Sequence, residues 1–206
     1  MRKQLVELLK KKGISNSAVL HAIGKVPRHL FLDSSFEAFA YQDKPFPIAA
    51  NQTISQPYTV AFQSQHLDVH PGMRVLEVGT GSGYQAAVLL EMGCKVFTIE
   101  RQHELFLFAK PLLNGLGYRP VIKYGDGYKG MPAYAPFDRV IVTAAAPQIP
   151  EPLLEQLTEG GKMLIPVGEQ GDEQRMMELI RKPGKRIETR DLGAFRFVPM
   201  LEDRQS

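Results

Sequence analysis

Val75-Leu76-Glu77-Val78-Gly79-Thr80-Gly81-Ser82-Gly83-Tyr84 decides the fold: an apolar run, three alternate glycines, then a helical pattern over residues 84–92. Residues 74–78 read as a buried strand, and glycines directly after a strand permit a tight turn and let a ligand approach the main chain. Outward from this loop the alternation continues. Residues 95–99, 121–124, 139–142 and 162–167 read as further strands, with helices over 58–67, 102–116 and 151–157. Parallel neighbours require crossover helices, so the pattern implies an α/β fold with a mostly parallel central sheet and helices on both faces. Residues 176–181 and 186–192 flank Lys182-Pro183-Gly184-Lys185 and read as a hairpin that puts an antiparallel strand at the sheet edge.

Upstream, Leu5, Leu8 and Leu9 share one helical face that ends at Gly13, and Ser15-Asn16-Ser17 offers caps for a second helix over 18–26, stopped by Pro27. These two form an N-terminal helical extension. Residues 28–57, rich in aromatics and prolines, read as irregular structure folded against the main domain. With 206 residues, 44% hydrophobic and 23% charged, the chain is ordinary for one globular domain, which excludes disorder and low-complexity scaffolds. The single cysteine, Cys94, cannot form an internal disulfide and reads as a small buried hydrophobe, so the cytoplasm is the expected compartment. The opening residues are charged and no apolar run reaches membrane-spanning length, so neither a signal peptide nor a membrane anchor is expected. A net charge of +3 split between two separate basic groups argues against nucleic acid as a partner. The five histidines, at 21, 29, 66, 70 and 103, match no metal-ligand spacing, so no metal is expected.

The glycine spacing is G-x-G-x-G, whereas a dinucleotide fingerprint spaces its glycines G-x-G-x-x-G and directs a pyrophosphate at the helix N-terminus. Glu77 at the strand end would repel that pyrophosphate and attract a cation, which suits a sulfonium cofactor with an ammonium tail. Glu100 closes the second strand, where an acidic side chain can accept both ribose hydroxyls of a nucleoside. Helix capping for Glu77, and an ion pair with Arg101 for Glu100, are the structural alternatives. Gly125-Asp126-Gly127 and Thr143-Ala144-Ala145-Ala146-Pro147 follow the third and fourth strands, again at carboxyl ends where the ligand crevice of an open sheet lies. Asp126 is either an acceptor for an adenine amino group or an Asx-turn.

These residues resemble the protein-L-isoaspartate O-methyltransferase family over nearly the whole chain. Besides residues 77–84, the likeness rests on Val26-Pro27-Arg28-His29-Leu30-Phe31, Thr53-Ile54-Ser55-Gln56-Pro57, Gly125-Asp126-Gly127, residues 142–147 and Phe197-Val198-Pro199. The resemblance implies a Rossmann-like S-adenosylmethionine-dependent methyltransferase fold as a single domain: residues 1–57 as N-terminal helices and substrate-side loop, 58–180 as cofactor-binding core, 181–206 as C-terminal strand and tail. It implies methyl transfer to the free α-carboxylate of L-isoaspartyl residues in damaged proteins and peptides, with S-adenosyl-L-homocysteine as product. The ester then passes through a succinimide to aspartate.

By position, Ser55 matches the family's active-site serine. Gly79, Thr80, Gly81, Ser82, Gly83, Glu100, Asp126 and Gly127 match cofactor contacts, to which the charge argument adds Glu77. Thr53, Thr143 and Val198 read as lining for cofactor or substrate, and the working form is expected to be a monomer. Asn51 stands where the family often has glycine, and Tyr128 and Met131 where tryptophan is common. A carboxylate nucleophile is already deprotonated at neutral pH, so a serine without a triad fits; capping the helix entered through Gln56-Pro57 is the alternative for Ser55. A nucleic-acid methyltransferase would favour Asn/Asp-Pro-Pro-aromatic after the fourth strand or a Pro-Cys nucleophile, and neither occurs. A nicotinamide oxidoreductase is disfavoured by the glycine spacing, and a noncatalytic binding module remains as the alternative of another class.

Overall fold

A computed structural model describes residues 1–169 and 172–205. Helix α1 (Arg2–Lys11) buries Leu5 and Leu9, and α2 (Ser17–Lys25) starts where the Asn16 side chain accepts from Ala18 N at 3.0 Å and Val19 N at 3.2 Å. That cap satisfies two of the amides a helix leaves unpaired at its start. The irregular segment that follows contains two 3-10 turns, Arg28–Phe31 and Ser34–Phe39, and a small antiparallel pair, β1 (Phe46–Pro47) with β2 (Thr53–Ile54). Between those strands Asn51 sits at φ +54°. Asparagine tolerates this left-handed conformation better than most residues, which accounts for its fit where the resemblance leads one to expect glycine.

The segment is pinned by an unusual residue. Arg28 is fully buried, has no carboxylate within salt-bridge distance among the described residues, donates from Nε to Ala40 O at 2.9 Å and from Nη2 to Lys44 O at 3.3 Å, and lies 4.8 Å from the centre of the Tyr84 ring. One charge thus ties the loop ahead of β2 to the residue that opens the helix after the glycines.

The main sheet has seven strands: β3 (Arg74–Val78), β4 (Lys95–Glu100), β5 (Val121–Tyr124), β6 (Phe137–Val142), β7 (Leu157–Val167), β8 (Gln174–Arg181) and β9 (Ile187–Phe195). Their spatial order is β5-β4-β3-β6-β7-β8-β9, parallel from β5 to β7 and antiparallel beyond. The β7-β8 and β8-β9 pairings form the antiparallel edge hairpin that residues 176–181 and 186–192 led us to expect. β7 starts five residues early, because Leu157 already pairs with Phe137 across a register shift. The connecting helices are α3 (Pro57–Leu67), α4 (Tyr84–Glu91), α5 (His103–Gly115) and α6 (Glu151–Glu155).

Alternate residues along β3 feed opposite cores. Val75 joins the apolar cluster under α1 to α4, whereas Leu76 and Val78 join Phe97, Ile99, Val140 and Leu153 on the other face. Successive side chains of a strand point to opposite faces, so a strand buried on both sides reads as an unbroken apolar run. Chain order reverses between β3 and β6, which places a topological switch point beside the glycine loop. The C-terminal segment returns to that point: Ala145 N donates to Val198 O at 2.8 Å and Met200 N to Ala145 O at 2.7 Å. Cys94 is buried, and burial pushes its thiol up to about 11. Among the described residues no helix is long and apolar enough to cross a membrane, and no group of three potential metal ligands forms.

The capping geometry yields a stability prediction. Asn16→Ala should cost about 1 kcal/mol, read as a lower urea midpoint with an unchanged slope; an unchanged midpoint would show the cap contributes nothing.

Candidate active site

The glycine loop is shaped by its own packing as well as by any ligand. Gly79 adopts φ +94°, and a Cβ there would lie 2.5 Å from Thr143 Oγ1. That hydroxyl donates to Gly79 O at 2.7 Å and Val78 O at 3.0 Å. Gly83, at φ +90°, is the N-cap of α4, and a Cβ there would meet Leu113 at 2.9 Å. A side chain at either position would strain a left-handed backbone and push the Thr143 or Leu113 side chain aside.

Glu100 holds the loop from the neighbouring strand. Its Oε2 accepts from Gly81 N and its Oε1 from Gln102 N, each at 2.8 Å, and the carboxyl is almost wholly buried. Burial pushes its pKa up, and the two amide donors oppose that shift. The expected alternative, an ion pair with Arg101, is absent, because the Arg101 guanidinium is occupied by Glu202 O, Asp203 O and Gln205 Oε1.

Two acidic candidates stand elsewhere than expected. Glu77 is fully buried behind the loop and does not reach the cleft wall. Its Oε2 accepts from Thr98 Oγ1 at 2.5 Å, and Thr98 in turn lies 2.6 Å from Thr80 Oγ1. Burial, reinforced by nearby Glu100, pushes Glu77 up to about 8. Its strand-end position reads in the sequence as a charge facing the ligand, whereas a carboxyl this deep favours its neutral form at pH 7. Its influence on the cleft runs through Thr98 and Thr80. Asp126 likewise forms the Asx-turn, accepting from Tyr128 N at 2.9 Å and pairing with Lys129 Nζ at 3.2 Å, off the cleft wall.

Gly83, the N-cap of α4, is also off the cleft wall, and the remaining candidates converge. A cleft of about 850 Å³, counting its open mouth, is lined by Gly79, Thr80, Gly81, Ser82, Glu100 and Gly127, with Thr53, Ser55, Thr143 and Val198 at one end. A second, wider groove of about 1060 Å³ runs from those same four residues past Tyr58, Phe195, Arg196 and Phe197. Ser55 is half-buried, and its hydroxyl has no partner among the described residues. It does not cap α3: the N-cap is Gln56, and Asp43 Oδ1 takes Tyr58 N at 2.8 Å.

Sequence reasoning missed part of the wall. Tyr84 and Gln85, in the first turn of α4, line the cleft. Their Oη and Oε1 atoms are themselves buried and have no hydrogen-bond partner among the described residues. Leu105, one turn into α5, and Met200 supply apolar surface. Leu105 had a signal in its position one turn after Glu100; Met200 had only its place beside the Phe-Val-Pro segment.

The buried Glu77 carries a pH prediction. Its folded pKa lies above its unfolded one, so the folded state keeps a proton that the unfolded chain releases, and stability falls as pH rises from about 4.5 toward 8. Glu77→Gln should flatten that fall, gaining melting temperature relative to the parent between pH 5 and pH 8. Parallel melting curves across that range would contradict the assignment.

The family model described as Protein-L-isoaspartate(D-aspartate) O-methyltransferase (PCMT) matches residues 1–205. The chain is 61% identical over 204 residues to the protein-L-isoaspartate O-methyltransferase of Christiangramia forsetii, covering 98% of this chain and 95% of that one. Among solved structures, a protein-L-isoaspartate O-methyltransferase superposes with a TM-score of 0.88 at 30% identity, over 97% of this chain and 65% of that longer one. A Plasmodium falciparum beta-aspartate methyltransferase (PCMT), crystallised with S-adenosyl-L-homocysteine, superposes at 0.85 with 27% identity over 98% and 99% of the two chains. From a whole-chain family match and relatives this similar, the chain belongs to the protein-L-isoaspartate(D-aspartate) O-methyltransferase family.

Proposed function

We propose that this chain transfers the methyl group of S-adenosylmethionine to the free α-carboxylate of L-isoaspartyl residues in damaged proteins and peptides. The observation that carries the reading is the junction: Thr53, Ser55, Thr143 and Val198 line both the cleft and the groove, so a small cofactor and an extended peptide can meet there. The glycine loop, Glu100 and Gly127 would hold the cofactor, Glu100 as acceptor for ribose hydroxyls. Glu77 acts from behind the loop, and Asp126 keeps its turn in shape. When bound, the cofactor supplies an activated methyl on a sulfonium.

The residues at the junction then have limited work. The carboxylate needs no base. It needs a fixed oxygen position in line with the methyl, and orientation of this kind is worth several kcal/mol, up to roughly 7 to 11 in ideal cases. Ser55, with its hydroxyl unengaged, donates to the carboxylate and replaces part of its lost hydration. Thr143 spends its hydroxyl proton on Val78 and Gly79 carbonyls, so it is a wall and a loop lock. Val198, fixed through its carbonyl to Ala145, excludes water. The ester leaves the site and cyclises to a succinimide, whose hydrolysis returns part of the damage to aspartate. We infer that the chain works as a single-domain monomer in the cytoplasm without nucleic acid, a reading supported by its one buried cysteine and modest charge.

Incubation with labelled S-adenosylmethionine and matched aspartyl and isoaspartyl peptides should label only the isoaspartyl one; equal labelling of both, or of neither, would overturn the proposal. Ser55→Ala should lower kcat on the isoaspartyl peptide about 10- to 100-fold, the worth of one hydrogen bond to a charged group, while S-adenosyl-L-homocysteine binds as before. Unchanged turnover would remove Ser55 from the chemistry.

A further inference from the structure

The groove beyond the junction is walled mainly by apolar, aromatic and hydroxyl-bearing residues, and carries one side chain of each charge. The negative one, Glu173, lies 3.9 Å from Arg175 Nη1. The positive one, Arg196, is exposed and has no carboxylate within salt-bridge distance among the described residues. Its backbone is fixed on both sides. Phe197 N donates to Gln174 Oε1 at 2.9 Å, and the Phe195 ring packs 4.9 Å from that of Phe62.

We propose that Arg196 is a specificity-determining residue of the peptide groove, favouring substrates with an acidic side chain beside the isoaspartyl residue and disfavouring basic ones. The inference rests on the groove being the peptide site. Arg196 lines the groove and not the cofactor cleft, so it stands apart from the transferring methyl. It is two residues from Val198 at the junction, a reach of at most ~7 Å along the chain. An extended peptide advances ~3.4 Å per residue, so this reach takes in the first two residues flanking the reactive one. Pairing with the reactive carboxylate itself would draw electron density from the attacking oxygen, a role that Ser55 fills with a weaker donor.

An exposed ion pair is worth a fraction of a kcal/mol to about 1, so the selectivity is about 3- to 5-fold at low salt, expressed in KM. The test uses isoaspartyl peptides that carry Glu, Gln or Lys at one flank and then at the other, assayed on the full-length protein. At 50 mM salt the parent should show KM rising from Glu to Gln to Lys on at least one flank, with kcat much less affected. Arg196→Lys should keep that order, Arg196→Gln should level it, Arg196→Glu should reverse it, and 0.5 M salt should level it in the parent. An order that survives Arg196→Gln, or the absence of any order in a parent that methylates every peptide, would overturn the assignment to Arg196 and leave the repair reading standing. A parent that methylates none of them would overturn both.

Discussion

The backbone amides of Gly81 and Gln102 converge on the carboxylate of Glu100, and the geometry of the whole crevice depends on that convergence. The glycine loop belongs to the connection after β3, and Gln102 to the connection after β4. Glu100 joins the two at the sheet's carboxyl edge. Because the carboxyl is buried, its hydrogen bonds are costly to lose and fix the loop's position. Thr143 secures the same loop from the other side through the Val78 and Gly79 carbonyls. A ligand entering there meets a cradle already shaped, which spares the cost of ordering it.

A second constraint links cofactor to substrate. Arg28 buries a positive charge that two carbonyls of the segment leading to β2 and the face of Tyr84 hold. Tyr84 lines the cleft, and β2 carries Thr53 just ahead of Ser55, at the junction. The loop that presents the proposed serine is therefore anchored to the first residue of the helix that follows the glycines. The C-terminal return adds the opposite wall through the Ala145 contacts.

Much of this was legible in the sequence because its signals are local. The apolar run of β3 ends at glycines that packing independently requires, and Asn16 caps α2 as its position ahead of an apolar pattern suggests. The meeting of Thr53, Ser55, Thr143 and Val198 was implied by the family resemblance, since nothing local brings those segments together. Burial was less legible. Glu77 reads as a charge at a strand end beside the loop, yet β3 is covered on both faces, and its carboxyl is fully buried with Thr98 as its partner and Glu100 nearby. Asp126 forms the turn because the Tyr128 amide takes its Oδ1 while Lys129 pairs with its Oδ2. Ser55 lost its capping alternative to Asp43, a residue twelve positions earlier whose role no local pattern announces.

Glu100 at the strand end, binding the glycine loop and receiving a nucleoside, is the claim on which the account stands. Isothermal titration of S-adenosyl-L-homocysteine into the parent and into Glu100→Ala, with melting curves to confirm that both are folded, tests it most directly. The account predicts clear binding to the parent and an affinity lower by about 10- to 100-fold in a folded variant, since hydrogen bonds to a charged group are lost. Equal affinity in the two proteins would contradict it.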